Sequence, residues 1–164
     1  MFPADATGCG QFRLIMPARA LQAQGYDVVV EMPAERQGIK FYPDPVTGRI
    51  VDVQVPVDAD VMVFQRVTLG PLAYVIPMIR AKGVAVVVDM DDDLSSIHPK
   101  HPAYAKYQPG NGGQHSWKNA EYACRVATLV TTSTPALQDV YAPHGRGVVL
   151  PNCVPASYLD IPRV

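Results

Sequence analysis

Five short runs of the chain, Tyr26-Asp-Val-Val-Val-Glu31, Asp60-Val-Met-Val-Phe-Gln65, Val84-Ala-Val-Val-Val-Asp89, Thr128-Leu-Val-Thr-Thr132 and Gly147-Val-Val-Leu150, are β-branched and apolar on both faces. A strand without a polar side belongs inside a parallel sheet covered by helices. The stretches between these runs carry helical patterns over residues 12–24, 72–82, 116–126 and 135–141, the first with Leu14, Ile15, Ala18 and Leu21 on one face. Gly25 and Gly83 stand where a helix C-terminus favours a left-handed residue, and Thr134-Pro135 reads as an N-cap followed by proline at the first helical position. Alternation of this kind predicts an α/β fold, Rossmann-like and doubly wound, with a mainly parallel sheet and helices on both faces.

Two segments break the alternation. Residues 39–55 contain two extended stretches around Pro43-Asp-Pro-Val-Thr-Gly-Arg49 and predict a hairpin. Residues 95–114 hold His98-Pro-Lys-His-Pro102 and Gly110-Asn-Gly-Gly113, too many turn residues for a regular element, and predict a long functional or mobile loop. The 16 prolines are scattered as punctuation and form no PxxP tract. With 164 residues the chain is sized for one domain, assigned to residues 1–150, with 151–164 as the start of a linker.

Charge narrows the function classes. Fifteen acidic and 14 basic side chains nearly cancel, so the basic footprint of a nucleic-acid binder or polybasic membrane protein is missing. The chain shows neither a bilayer-length apolar run nor a signal-peptide pattern, and reads as cytoplasmic. Cys9, Cys124 and Cys153 form no CxxC pair and are expected as free thiols, without a structural metal.

Ligands of an open parallel sheet bind beyond the carboxyl ends of its strands, so the residues that follow each strand carry the functional candidates. Thr7-Gly-Cys-Gly-Gln-Phe-Arg13 is a glycine turn into a helix. It is either a tight turn or a phosphate cradle in which Gly8 and Gly10 let backbone N–H groups approach and Arg13 adds charge. Gln65-Arg66 ends another strand, and Asp89-Met-Asp-Asp-Asp93 places four carboxylates in five residues. Such a cluster can coordinate a metal, act as a base or accept hydrogen bonds from substrate hydroxyls, or it can be a solvated turn with one aspartate capping the next helix. Ser133 and Thr134 complete the expected crevice. His98 and His101 read as exposed loop residues rather than zinc ligands, and Trp117 and Tyr122 as packing residues.

In order along the chain, Gly8-Cys-Gly-Gln-Phe-Arg13, Pro17-Ala-Arg-Ala-Leu21, Gly25-Tyr-Asp-Val-Val29, residues 60–66, Ile79-Arg-Ala-Lys-Gly83, Val86-Val-Val-Asp-Met-Asp-Asp-Asp-Leu94, Val130-Thr-Thr-Ser-Thr134 and Val149-Leu-Pro-Asn-Cys-Val154 resemble the N-terminal half of family-4-like GT-B glycosyltransferases. The resemblance spans nearly the whole chain and rests on the order of the motifs. It implies an acceptor-side domain of an enzyme that moves sugar from a nucleotide sugar to a sugar, lipid or protein acceptor. Asp91 and Asp92 would be catalytic, and Gly8, Gly10, Arg13, Gln65, Arg66, Asp93, Ser133, Thr134 and Asn152 would bind substrate or phosphate. No permanently bound cofactor or metal is implied, the nucleotide sugar being a substrate.

The chain departs from that pattern in three places. Met1-Phe-Pro3 leaves little room for a first strand, Asp91-Asp92 stands where many relatives carry His-Asp, and the donor-binding domain would lie beyond Val164. This half alone is therefore expected to be inactive. Residues 86–94 are also similar to the first motif of haloacid-dehalogenase-like phosphatases, which would make Asp89 a nucleophile and Asp91 an acid. Asp89-Met-Asp91 is also a DxD, the metal motif of GT-A enzymes. A non-catalytic Rossmann-like binding module is the remaining class.

Overall fold

The computed structural model of the chain describes residues 1–32, 38–56, 58–107, 116–154, 158 and 160. A short helix α1, Gly8–Gly10, runs through a π-helical stretch, Gln11–Ile15, into α2, Met16–Ala23. The hairpin expected over 39–55 is present as β1, Lys40–Pro43, paired antiparallel with β2, Ile50–Gln54. Then come β3, Val61–Gln65; α3, Gly70–Ala81; β4, Ala85–Met90; α4, Tyr104–Tyr107; α5, Ser116–Val126; β5, Leu129–Thr132; α6, Pro135–Tyr141; and β6, Gly147–Val149. The four later strands form a parallel sheet in the order β3-β4-β5-β6.

Register assigns the two faces. Phe64, Val88 and Val130 are neighbours across β3, β4 and β5, and so are Gln65, Asp89 and Thr131 one residue later. Because side chains alternate along a strand, these two rows point to opposite faces. The first row joins Met62, Val86 and Met90 in a core with Ala73, Val75, Ile76 and Ile79 of α3 and Ala120, Ala123 and Cys124 of α5. The second row is polar, and Arg13 of the N-terminal helix pairs with its Asp89. Helices therefore flank both faces, as a Rossmann-like fold requires. The hairpin packs on α3: Val53 is fully buried in the same core, and Lys82 pairs with Asp52 at 2.9 Å.

Residues 26–31, expected as a strand, form no regular strand. They lie beside the stub at the N-terminus, where the Met1 amino group donates to the Val29 carbonyl at 2.6 Å and the Glu31 N–H donates to the Met1 carbonyl at 2.9 Å. Two such bonds do not make a ladder, and Tyr26 and Val29 stay exposed. On its other side Phe2 bridges Phe64 in parallel, with its ring stacked on Phe64 at 4.8 Å between centroids. From residues 1–3 the chain thus proceeds first to one side and then, with β3, to the other. This divergence of the chain to either side of residues 1–3 corresponds to the switch point at which open α/β sheets form their ligand crevice.

Local signals place the remaining boundaries. Gly25 and Gly83 adopt positive φ angles of 90° and 88° just past α2 and α3, and Thr134 caps α6 by accepting from the Leu137 N–H at 3.3 Å. The loop expected over 95–114 contains turns and the single helical turn α4; its Gly110-Asn-Gly-Gly113 lies outside the described residues. Phe64→Ala, which empties the centre of the core, is expected to cost about 3–5 kcal/mol of unfolding free energy, against about 1 kcal/mol for Thr134→Ala at the helix cap. Denaturant titration followed by circular dichroism measures both.

Candidate functional site

At the carboxyl edge of the sheet the deepest pair is Arg13 with Asp89. The π-helical stretch carries Arg13 inward, and its Nε and Nη2 donate to the two Asp89 oxygens at 3.0 and 2.5 Å. The Thr131 hydroxyl donates to the same carboxylate at 2.6 Å. Arg13 Nη1 donates to the Leu150 carbonyl and, at 3.2 Å, to Asn152 Oδ1. Both charged side chains are almost wholly buried, 4% and 2% exposed, so their charges serve each other. Phe12 meets Tyr158 edge-on at 6.2 Å, which sets Tyr158 against the same helical stretch.

Above this pair sits Arg66, the only described non-glycine residue with positive φ, 49°. Its N–H donates to the Asp89 carbonyl at 2.9 Å, and its guanidinium meets Asp5 at 2.6 Å and Asp91 and Asp92 at 3.4 Å each. Asp5 Oδ1 also accepts from the N–H groups of Thr7 at 3.0 Å and Gly10 at 3.1 Å. Burial would raise the Asp5 pKa, but these bonds and the Arg66 charge outweigh it and hold it below the ordinary carboxylate value. Asp92, with its side chain 56% exposed, is shifted the other way by burial and by Asp91, although Arg66 and His101 pull it back.

Cys9 lies beside Asp91. A hydrogen bond to that carboxylate, then burial, push its thiol up to about 11. Cys9 Sγ and one oxygen each of Asp91 and Asp92 lie within 4.8 Å of one another, close enough to surround a cation. The Arg66 guanidinium already supplies counter-charge there, and a protonated thiol is a poor ligand.

The glycine turn serves mainly to seat Asp5. A Cβ on Gly10 would fall 1.8 Å from the Asp5 carbonyl oxygen, whereas one on Gly8 would meet nothing within 4 Å. Gln65 is buried and its Oε1 accepts from the Ala4 N–H at 3.0 Å, while its Nε2 has no partner among the described residues. Ser133 donates to the Asp91 carbonyl at 3.4 Å, and Thr134 is committed to its cap. Asp93 accepts from the Ser95 N–H and hydroxyl and from the Ser96 hydroxyl, a local turn that follows the bland reading of this aspartate. Asp5, Cys9 and Thr131 were not among the candidates. Asp5 carries a sequence signal, an aspartate just ahead of a helix; Thr131 has none, because its role exists only through β4–β5 register.

Asp89 does not fit a phosphatase nucleophile, since its oxygens are buried and occupied by Arg13 and Thr131. For the same reason it cannot join Asp91 in a metal-binding DxD. No protein family, curated protein or solved structure matches the chain.

Arg13→Met leaves Asp89 buried without its cation and is expected to cost about 3–5 kcal/mol, whereas Arg13→Met with Asp89→Leu recovers a large part of that loss; chemical denaturation of the set measures the coupling. Arg66→Met removes a charge that lowers the pKa values of Asp5 and Asp92, and so raises both in the folded state. A carboxylate with a raised folded pKa stabilises while protonated and loses that contribution as pH rises through it. The variant is therefore expected to lose more stability at pH 7 than at pH 4, in thermal melts against the parent chain.

Proposed function

We propose that the chain is the acceptor-side, Rossmann-like domain of a GT-B-type glycosyltransferase that transfers sugar from a nucleotide-sugar donor to an acceptor hydroxyl. The observation that carries this reading is the pair Asp91 and Asp92 braced by Arg66 at the switch point of the sheet. Glycosyl transfer needs an acceptor hydroxyl to be oriented and relieved of its proton. Asp92 is exposed enough to meet such a hydroxyl, and its raised pKa makes it a stronger base than an ordinary carboxylate. Asp91 stays buried beneath it as an orienting charge.

The same electrostatics argue about the donor. Three carboxylates around one guanidinium leave the crevice acidic, which disfavours a diphosphate. Asp5 already occupies the N–H of Gly10, and Arg13 is neutralised by Asp89. The donor's phosphates would thus be held by a second domain, with this chain supplying the acceptor wall. Transition-state stabilisation of the leaving diphosphate would come from that other wall, so the chain alone would not transfer sugar.

The test joins this chain to the coding sequence that follows Val164, or to the product of a neighbouring frame, and assays a panel of nucleotide sugars and acceptors. Transfer is expected only in the completed protein. Asp92→Asn is expected to lower kcat by about 100-fold or more. The rate should climb with pH through the Asp92 pKa, because the base works ionised, and that limb should vanish in the variant. Transfer indifferent to both Asp91→Asn and Asp92→Asn, or none in the completed protein, would reject the reading.

A further inference from the structure

Between α5 and α6 lies a cleft of about 390 Å³, none of whose lining residues belongs to the acidic crevice. Lys118, Tyr122 and Arg125 face it from α5, spaced by four and three residues and so on one side of the helix. Val140 of α6 and Pro143 of the following turn provide an apolar wall. Neither Lys118 nor Arg125 makes an ion pair among the described residues. Glu121 also lines the cleft, so two cations face one carboxylate.

Each cation stands beside an aromatic ring. The Arg125 guanidinium stands 5.3 Å from the Tyr122 ring, which is braced in turn by Tyr74 at 5.1 Å between centroids. Lys118 Nζ lies 5.4 Å from the Trp117 ring. His144, at the cleft's end, contributes a wall rather than a hook, since its Nε2 is 3.1 Å from the Cys124 carbonyl and its Nδ1 accepts from the Arg146 N–H at 3.1 Å.

We propose that this cleft binds a small organic anion, a carboxylate or phosphate on a compact apolar body, with Lys118 and Arg125 taking the oxyanion and Val140 and Pro143 the body. The volume suits a small molecule, and positive charge without an ion-pair partner among the described residues, beside an apolar wall, selects an amphiphilic anion over a neutral or cationic ligand.

The chain has a single tryptophan, Trp117, and drawing Lys118 onto an anion removes its ammonium from that indole, so emission reports occupancy. Phenyl phosphate, benzoate, inorganic phosphate and phenol are titrated at low ionic strength, with emission and isothermal titration read in parallel. Saturable binding is expected for phenyl phosphate or benzoate, whichever binds naming the head group. Inorganic phosphate is expected to bind about fivefold or more weakly for want of the apolar body, and phenol not to bind. Arg125→Ala and Lys118→Ala should each weaken binding about tenfold, and Glu121→Gln should tighten it, with melting curves confirming that each variant is folded. The proposal is overturned if neither phenyl anion saturates by either measurement, if phenol binds equally well, or if affinity is unmoved in Arg125→Ala. Failure of the phenyl anions combined with binding of an acidic, tyrosine-containing peptide would assign this face to a protein partner instead.

Discussion

The carboxyl edge of the sheet depends on the buried pairing of Arg13 with Asp89. Two opposite charges taken out of water are costly unless each finds full compensation. Here the guanidinium meets both carboxylate oxygens, and Thr131 donates to the same carboxylate. Because Arg13 comes from the N-terminal helix and Asp89 from β4, the pair ties one helix layer to the centre of the sheet. The remaining nitrogen binds Leu150 and Asn152, which extends the tie to the segment after β6. Once the helix is seated, its start brings Gly10 against Asp5, and Asp5 in turn meets Arg66.

Arg66 is the second constraint. A left-handed backbone at a residue other than glycine or asparagine costs roughly 1–2 kcal/mol, and glycine would avoid that cost. What arginine adds is a cation among Asp5, Asp91 and Asp92, without which three carboxylates would repel one another. The charge is shared unequally. Asp5 is gripped by backbone N–H groups and held low, while Asp92 stays accessible and is held high. One acidic cluster therefore contains a structural carboxylate and a basic one, set apart by the N–H bonds that lower Asp5 and by the burial and the Asp91 charge that raise Asp92, not by residue type.

The two proposed ligand surfaces carry opposite charge. The crevice is acidic around Arg66, whereas the cleft between α5 and α6 has Lys118 and Arg125 against Glu121. An anion attracted to the cleft is repelled by the crevice, and a polyhydroxyl or cationic ligand has no reason to enter the cleft. Tyr122, read from sequence as a packing residue, packs on one side against Tyr74 and on the other supports Arg125.

The alternation of apolar runs with helical patterns by itself determined the α/β class, the parallel sheet and the helices over 116–126 and 135–141, because burial on both faces and helix capping are local properties of residue type and spacing. Arg66, Asp91, Asp92 and Asn152 stand out in the sequence because they follow apolar runs, and Arg13 because it follows the glycine turn. Their partners do not. That Asp89 would be consumed by Arg13, that Asp93 would fold onto its own serines, and that Asp5 would occupy the glycine turn are decided by contacts between segments far apart in the chain or by hydrogen bonds among neighbouring loop residues. The loss of residues 26–31 as a strand has the same origin: their β-branched composition favours extension, but a strand exists only through a ladder, and residues 1–3 supply two bonds. Residue type set which groups could carry chemistry, and tertiary structure decided which of them remained free to use it, because a buried charge is committed to whichever partner the fold places within hydrogen-bond reach.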